Sequence, residues 1–174
     1  MNDGSFLIFG GFVKGTRVSE VVHFDMQGQT LVGKALNATS AVAPVTRASM
    51  SAGVNEGKLW VFGGQDEENN KLNDLWCFDP STESWSQIKP KAGDYTPLPR
   101  SGHSTVTYGS KMYIFGGIVE LTKELNDFIV FDFTTGKFSS SDEANQACFG
   151  TNSPDRMNEE AEDASIASPV RRTT

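Results

Sequence analysis

Residues 47–64 read RASMSAGVNEGKLWVFGG, and residues 100–117 read RSGHSTVTYGSKMYIFGG. The two stretches start 53 residues apart, and each ends in a double glycine after a short apolar run. Gly10-Gly11 precedes Gly63-Gly64 by the same interval. Past the glycines, KLNDLWCFDPSTESWSQI (71–88) aligns with ELNDFIVFDFTTGKFSSS (124–141) at that offset. VSEVVHFDMQGQTLVGKA (18–35) joins them after a one-residue deletion. A fixed period of this length marks a repeat architecture, in which one supersecondary unit recurs and stacks on its neighbours.

Each unit reads as four short strands, a to d. Strand a is expected at Ser104–Tyr108, and less clearly at Ser49–Val54. Strand b is expected at Phe6–Phe9, Leu59–Phe62 and Met112–Phe115, and strand c at Val21–Phe24, Leu75–Phe78 and Phe128–Phe131. Strand d is expected at Leu31–Lys34, Trp85–Ile88 and Lys137–Ser140. These runs are rich in β-branched and aromatic residues and too short for helices. Asn55-Glu56-Gly57-Lys58 and Asp79-Pro80-Ser81-Thr82 supply turn chemistry between them. LWVFGG and MYIFGG are continuous apolar runs, as expected of strands packed on both faces. The glycine pair is expected to end strand b, where the chain leaves the sheet with positive φ.

The sequence resembles the kelch repeats of the long-loop type. The residues that carry the resemblance are Arg100-Ser101-Gly102-His103-Ser104, the double glycines, Leu72-Asn73-Asp74 and Leu125-Asn126-Asp127, Phe78-Asp79 and Phe131-Asp132, and Trp85. The first copy departs from the pattern with Ser19-Glu20 for Asn-Asp and Leu31 for Trp85, and the second has Met50 for His103. The resemblance implies an all-β fold of four-stranded β-propeller blades over residues 1–140. Blade 1, without its inner strand, takes residues 1–36, blade 2 residues 45–90 and blade 3 residues 98–140. Between two and a half and three blades fall short of the about four to eight that close a ring. The expectation is therefore an open or incomplete propeller, part of a longer one or completed by further kelch blades in the same or another chain.

Composition excludes several function classes. The formal net charge is −7, which disfavours nonspecific contact with nucleic acid or an anionic membrane. No apolar stretch reaches the roughly 18 residues of a membrane span, and no secretory signal is visible. Cys77 and Cys148 stand in dissimilar contexts and read as free thiols of a reducing compartment. The expected location is the cytoplasm or the nucleus, where the Asn37-Ala38-Thr39 sequon stays unmodified.

No catalytic set is legible. Gly10 and Gly15 with Thr16-Arg17 lack the Lys-Ser/Thr and the helix of a phosphate loop. His23 and His103 do not form a metal-ligand cluster with Cys or Asp. Ser104 beside His103 would point to the opposite face of a strand. The reading is a protein that is not an enzyme and takes no cofactor. Some relatives of the family are copper enzymes, so a piece of a catalytic kelch domain is the rival, and a non-functional truncated propeller the third option.

Binding is better supported. Loops 12–20, 65–74 and 118–127 follow strand b, and loops 35–47 and 89–100 follow strand d. In a meander both kinds emerge on one face, and they are long, polar and unlike one another. The resemblance implies a protein–protein interaction module, an adaptor or scaffold using this face. Gln65, Asp66, Glu67, Lys71, Glu120 and Lys123 are the loop candidates for partner contact, with Arg47 and Arg100 just before strand a. The arginines could instead brace the loops through carbonyls or a carboxylate. Residues 141–174 form an acidic segment expected to be disordered. Its Ser153 and Ser168 stand in Ser-Pro-x-Arg patterns that resemble sites of proline-directed phosphorylation.

Overall fold

The computed structural model describes residues 4–120 and 123–140. Among these the fold is all-β, with no helix. The first sheet has three antiparallel strands, β1 (Phe6–Phe9), β4 (Val21–Gln27) and β5 (Thr30–Leu36). A short hairpin of β2 (Phe12–Val13) and β3 (Thr16–Arg17) fills its b–c loop, an element the sequence reading missed. The second sheet is β6 (Ser51–Asn55), β7 (Lys58–Gln65), β8 (Lys71–Asp79) and β9 (Ser84–Ile88) in sequential order. The third repeats it with β10 (Ser104–Tyr108), β11 (Lys111–Ile118), β12 (Glu124–Asp132) and β13 (Lys137–Ser139).

The registers repeat as well as the strands. Phe62 pairs with Leu75 and Leu59 with Phe78; 53 residues on, Phe115 pairs with Phe128 and Met112 with Phe131. At the c–d turns the aspartate carboxylates cap the chain. The Ser81 N–H donates to Asp79 at 2.9 Å, and the Thr134 N–H to Asp132 at 2.8 Å.

Two expectations need correction. The double glycines do not end strand b in the two four-stranded sheets. β7 and β11 run through them to Gln65 and Ile118, with a register shift at Phe62/Gly64 and Phe115/Gly117. They form a β-bulge, in which an extra residue bends the strand. Bulge geometry and crowding both call for glycine. Gly64 has φ of +98°, and a Cβ there would lie 2.8 Å from Met50 Cβ and 2.9 Å from the Ala48 carbonyl oxygen. The paired strands accordingly start earlier than expected, at Lys71 and Glu124, and the Leu-Asn-Asp motifs lie inside strand c.

The core is two inter-sheet layers built from the same positions. Phe9 and Val21 of the first sheet meet Leu59, Val61, Trp76, Phe78 and Trp85 of the second. Phe62 and Leu75 of the second meet Met112, Ile114, Ile129, Phe131 and Phe138 of the third. Every residue of the later layer stands 53 positions after its counterpart, or 54 for Val21, which follows the shorter loop. The outer-strand aromatics reach across the interface. Trp85 meets Phe9 edge-on at 4.9 Å between ring centroids, and Phe138 meets Phe62 at 5.6 Å. On the inner side β6 approaches β10, and the Ser51 and Thr105 hydroxyls hydrogen-bond to each other.

Candidate functional site

The loops after strands b and d rest on a repeated arginine clamp. Arg47 lies just before β6, and its guanidinium donates to Asp74 of β8 through two bonds of 2.6 and 2.9 Å. It also donates to the carbonyls of Gly63 at 3.0 Å and Val45 at 3.2 Å. Arg100 does the same to Asp127, Gly116 and Leu98, at 2.6, 2.9, 3.0 and 3.1 Å. The side chain thus joins the start of strand a to the bulge of strand b and to strand c of its own sheet. Its main chain reaches the preceding sheet. Arg100 N–H donates to Leu72 O and Gly64 N–H to Arg100 O, both at 2.9 Å. Arg47 is held likewise by Val18 and Gly11.

Both arginines are 0% exposed, so neither presents its guanidinium on the loop face. Each guanidinium is occupied by one carboxylate and two carbonyls of the same chain. The physical reason is that a fork-shaped cation can satisfy a carboxylate and two carbonyls at once, which makes burial affordable. Asp74 also accepts the Trp76 indole N–H at 2.6 Å. Burial pushes its pKa up, but the Arg47 hydrogen bonds and charge and the Trp76 bond outweigh this, and the group stays below its ordinary 3.8. The sequence reading allowed the arginines a carboxylate partner without naming Asp74 or Asp127. The signal for their true partner was present, because Arg-to-Asp spacing is 27 residues in both copies.

Above the clamps the candidates separate. Gln65 donates to Asn69 within the loop, at 3.1 Å to its side-chain oxygen. Asp66 accepts from the Glu68 and Asn70 N–H groups at 3.0 and 2.8 Å, so it shapes the loop. Lys71 donates to Ser101 at 2.8 Å. Glu67, Glu120 and Lys123 are exposed. The missed hairpin contributes as well, since Arg17 covers the Phe12 ring and donates to Asn69 at 2.9 Å. Asn73 donates to the Pro97 carbonyl at 3.0 Å and Lys137 to Asp94 at 2.8 Å, and together they fix the 89–100 loop.

His103 packs edge-on against Phe62 at 5.3 Å, and neither ring nitrogen has a hydrogen-bond partner of good geometry among the described residues. Burial and the nearby Arg100 charge push its pKa down to about 4. Cys77 is buried, which pushes its thiol up to about 11. Among the described residues no three of His, Cys, Asp and Glu gather as metal ligands, and no helix is long and apolar enough to cross a membrane. Cys148, Ser153 and Ser168 lie outside the described residues.

Four-stranded antiparallel sheets at a fixed period, packed face to face over aromatic layers, define a repeat protein of β-propeller blades. The chain matches the KLHDC2/KLHL20/DRC7 Kelch-repeats domain over residues 1–158, and it belongs to the kelch-repeat family. It is 41% identical to host cell factor 2 of Homo sapiens over 98 residues, 53% of this chain and 12% of that protein. It is 38% identical to host cell factor 1 of Homo sapiens over 103 residues, 56% of this chain and 5% of that protein. With the Rho GTPase-activating protein gacHH of Dictyostelium discoideum it shares 33% over 132 residues, 72% of this chain and 8% of that protein. The chain thus spans 12% or less of the length of these three relatives.

Proposed function

We propose that the chain is a protein–protein interaction module, an adaptor or scaffold, that receives its partner on the face where the b–c and d–a loops emerge. Kelch-family membership and the likeness to the host cell factors support an interaction role. The observation that carries the loop assignment is that two geometrically matching clamps underlie loops of different sequence, QDEENN from β7's last residue and IVELTK from β11's last residue. A fixed base under varied exposed side chains is the arrangement of a recognition surface. In this reading Glu67, Glu120 and Lys123 touch the partner. Gln65, Asp66 and Lys71 shape the loops, and Arg47 and Arg100 act through them as positioning residues. The acidic run Asp66-Glu67-Glu68 favours a partner segment with basic residues.

The test is affinity capture from cell extract with the wild-type chain and a Glu67→Lys, Glu120→Lys double variant, followed by affinity measurement on the purified captured protein. The expected result is at least about a tenfold loss of affinity with an unchanged unfolding midpoint, and weaker wild-type binding as salt rises. Capture and affinity indifferent to the double variant would overturn the loop assignment.

A further inference from the structure

The second and third sheets also meet at the end away from the b–c and d–a loops, where β6 turns into β7 and β12 into β13. An open pocket of about 560 Å³ lies there, with Asn55, Glu56 and Trp60 of the second sheet and Ser110, Phe133 and Thr134 of the third among its walls. Its size is within the about 300–1,000 Å³ of ligand sites. Every wall residue belongs to a strand or turn of two sheets that pack on each other, so the pocket includes neither an outermost sheet face nor a residue of the loop face.

Three features of this pocket go beyond what the scaffold requires. Its aromatic pair departs from the repeat, since Leu7 and Pro80 stand 53 residues before Trp60 and Phe133. No hydrogen bond fixes the Trp60 ring. It lies 4.8 Å from Phe133 and 5.8 Å from Phe131, and its indole N–H has no acceptor among the described residues, whereas that of Trp76 donates to Asp74. Glu56 sits in the two-residue turn between Asn55 and Lys58 with φ of +49°. Glycine is the easy residue at such a place, and Gly109 fills it in the third sheet at φ of +57°. The glutamate is thus kept against backbone strain. Its carboxylate makes no ion pair among the described residues, because the neighbouring Lys58 is held by Asp79 at 3.1 Å.

We propose that this pocket takes an arginine side chain of a peptide segment. The guanidinium lies against the Trp60 and Phe133 rings, which attract a cation to their faces, and pairs with Glu56 at the rim. Arginine suits the site better than lysine, because its planar head stacks on aromatic rings and is more weakly hydrated than an ammonium. Asn55, Ser110 and Thr134 offer polar atoms to the peptide main chain beside it. The net charge of −7 adds a longer-range attraction for a basic segment. The site is separate from the loop face and does not rest on that assignment.

The test is titration of the 174-residue chain with the tripeptide acetyl-Gly-Arg-Gly-amide, read on the NMR signals of the Trp60 indole N–H and the Thr134 amide. The same tripeptide with lysine or citrulline in place of arginine is run beside it. So are Glu56→Gly and Trp60→Leu, which install the residues that the repeat carries as Gly109 and Leu7. The expected result is a saturable shift of both signals with a dissociation constant of about 1 mM, weakening as salt rises. Glu56→Gly should weaken binding about fivefold and Trp60→Leu, read on Thr134, about tenfold. Should Trp60→Leu lose its β-sheet spectrum, Glu56→Gly decides alone, since glycine relieves the strain at a positive φ. A Trp60 signal that stays unmoved, as when the peptide binds only the acidic loop, would overturn the proposal. So would lysine or citrulline peptides that bind as tightly as the arginine peptide, or an affinity indifferent to Glu56→Gly.

Discussion

The Arg100 guanidinium and the Asp127 carboxylate meet in two near-parallel hydrogen bonds of 2.6 and 2.9 Å, with the arginine side chain wholly buried and the aspartate partly open to solvent. Arg47 and Asp74 repeat the pair with the same two distances. Each arginine ties three strands of its own sheet and, through its main chain, the sheet before it. The pair therefore acts on the fold and on the loop face together.

Arg100→Ala should lower stability by about 3–5 kcal/mol, because it leaves a half-buried carboxylate and two carbonyls without their donor. Arg100→Lys should recover only part of that loss, since an ammonium cannot hold both carboxylate oxygens and the Gly116 and Leu98 carbonyls in one plane. Urea unfolding midpoints of the three proteins check this. An alanine variant as stable as wild type would show that the clamp is dispensable for folding.

The glycine pairs allow steric and conformational costs to be separated. Gly11 and Gly64 have similar φ, +104° and +98°, yet a Cβ at Gly11 meets nothing within 4 Å, while one at Gly64 meets Met50 and Ala48 at under 3 Å. Gly11→Ala should cost about 1–2 kcal/mol from backbone conformation alone. Gly64→Ala should cost about 2 kcal/mol more, because backbone on either side must move. Equal costs would mean that the bulge yields without resistance.

His103 makes stability depend on pH. Its folded pKa of about 4 lies below the ordinary 6.5, so the unfolded chain binds the extra proton between those values. Stability contributed by the neutral ring is complete above pH 6.5 and falls as pH drops toward 4, by about 3 kcal/mol in all. Below that range Asp74, held under its ordinary 3.8, adds a further loss as it becomes protonated. His103→Met, which installs the residue found at Met50 in the previous repeat, should flatten the pH 4–6.5 slope. It should also raise stability at neutral pH by about 1 kcal/mol, by removing two buried nitrogens without good partners. Thermal melts across pH for both proteins read this directly.

The outer aromatics should be graded by size. Trp85→Ala opens the layer around Phe9, Trp76 and Phe78 and should cost about 3–5 kcal/mol. Trp85→Phe imports the residue that Phe138 supplies in the third sheet and should cost about half as much or less. A phenylalanine variant as weak as alanine would show that the two layers are not interchangeable.

The sequence by itself determined the repeat, its 53-residue interval and the strand types. These follow from local rules: short apolar runs, β-branching and turn chemistry act within a few residues. It also carried the c–d turns, where Asp79 and Asp132 act on the next few N–H groups. What only the tertiary structure decided involves approach between distant segments. The glycines look like a strand's end in one dimension, but Met50 and Ala48, packed against Gly64, turn them into a bulge inside it. Arg47 and Arg100 look like loop charges until Asp74 and Asp127, 27 residues on, draw them inside. Burial of a charge depends on whether all its donors find acceptors at once, and only the assembled sheets bring those acceptors together.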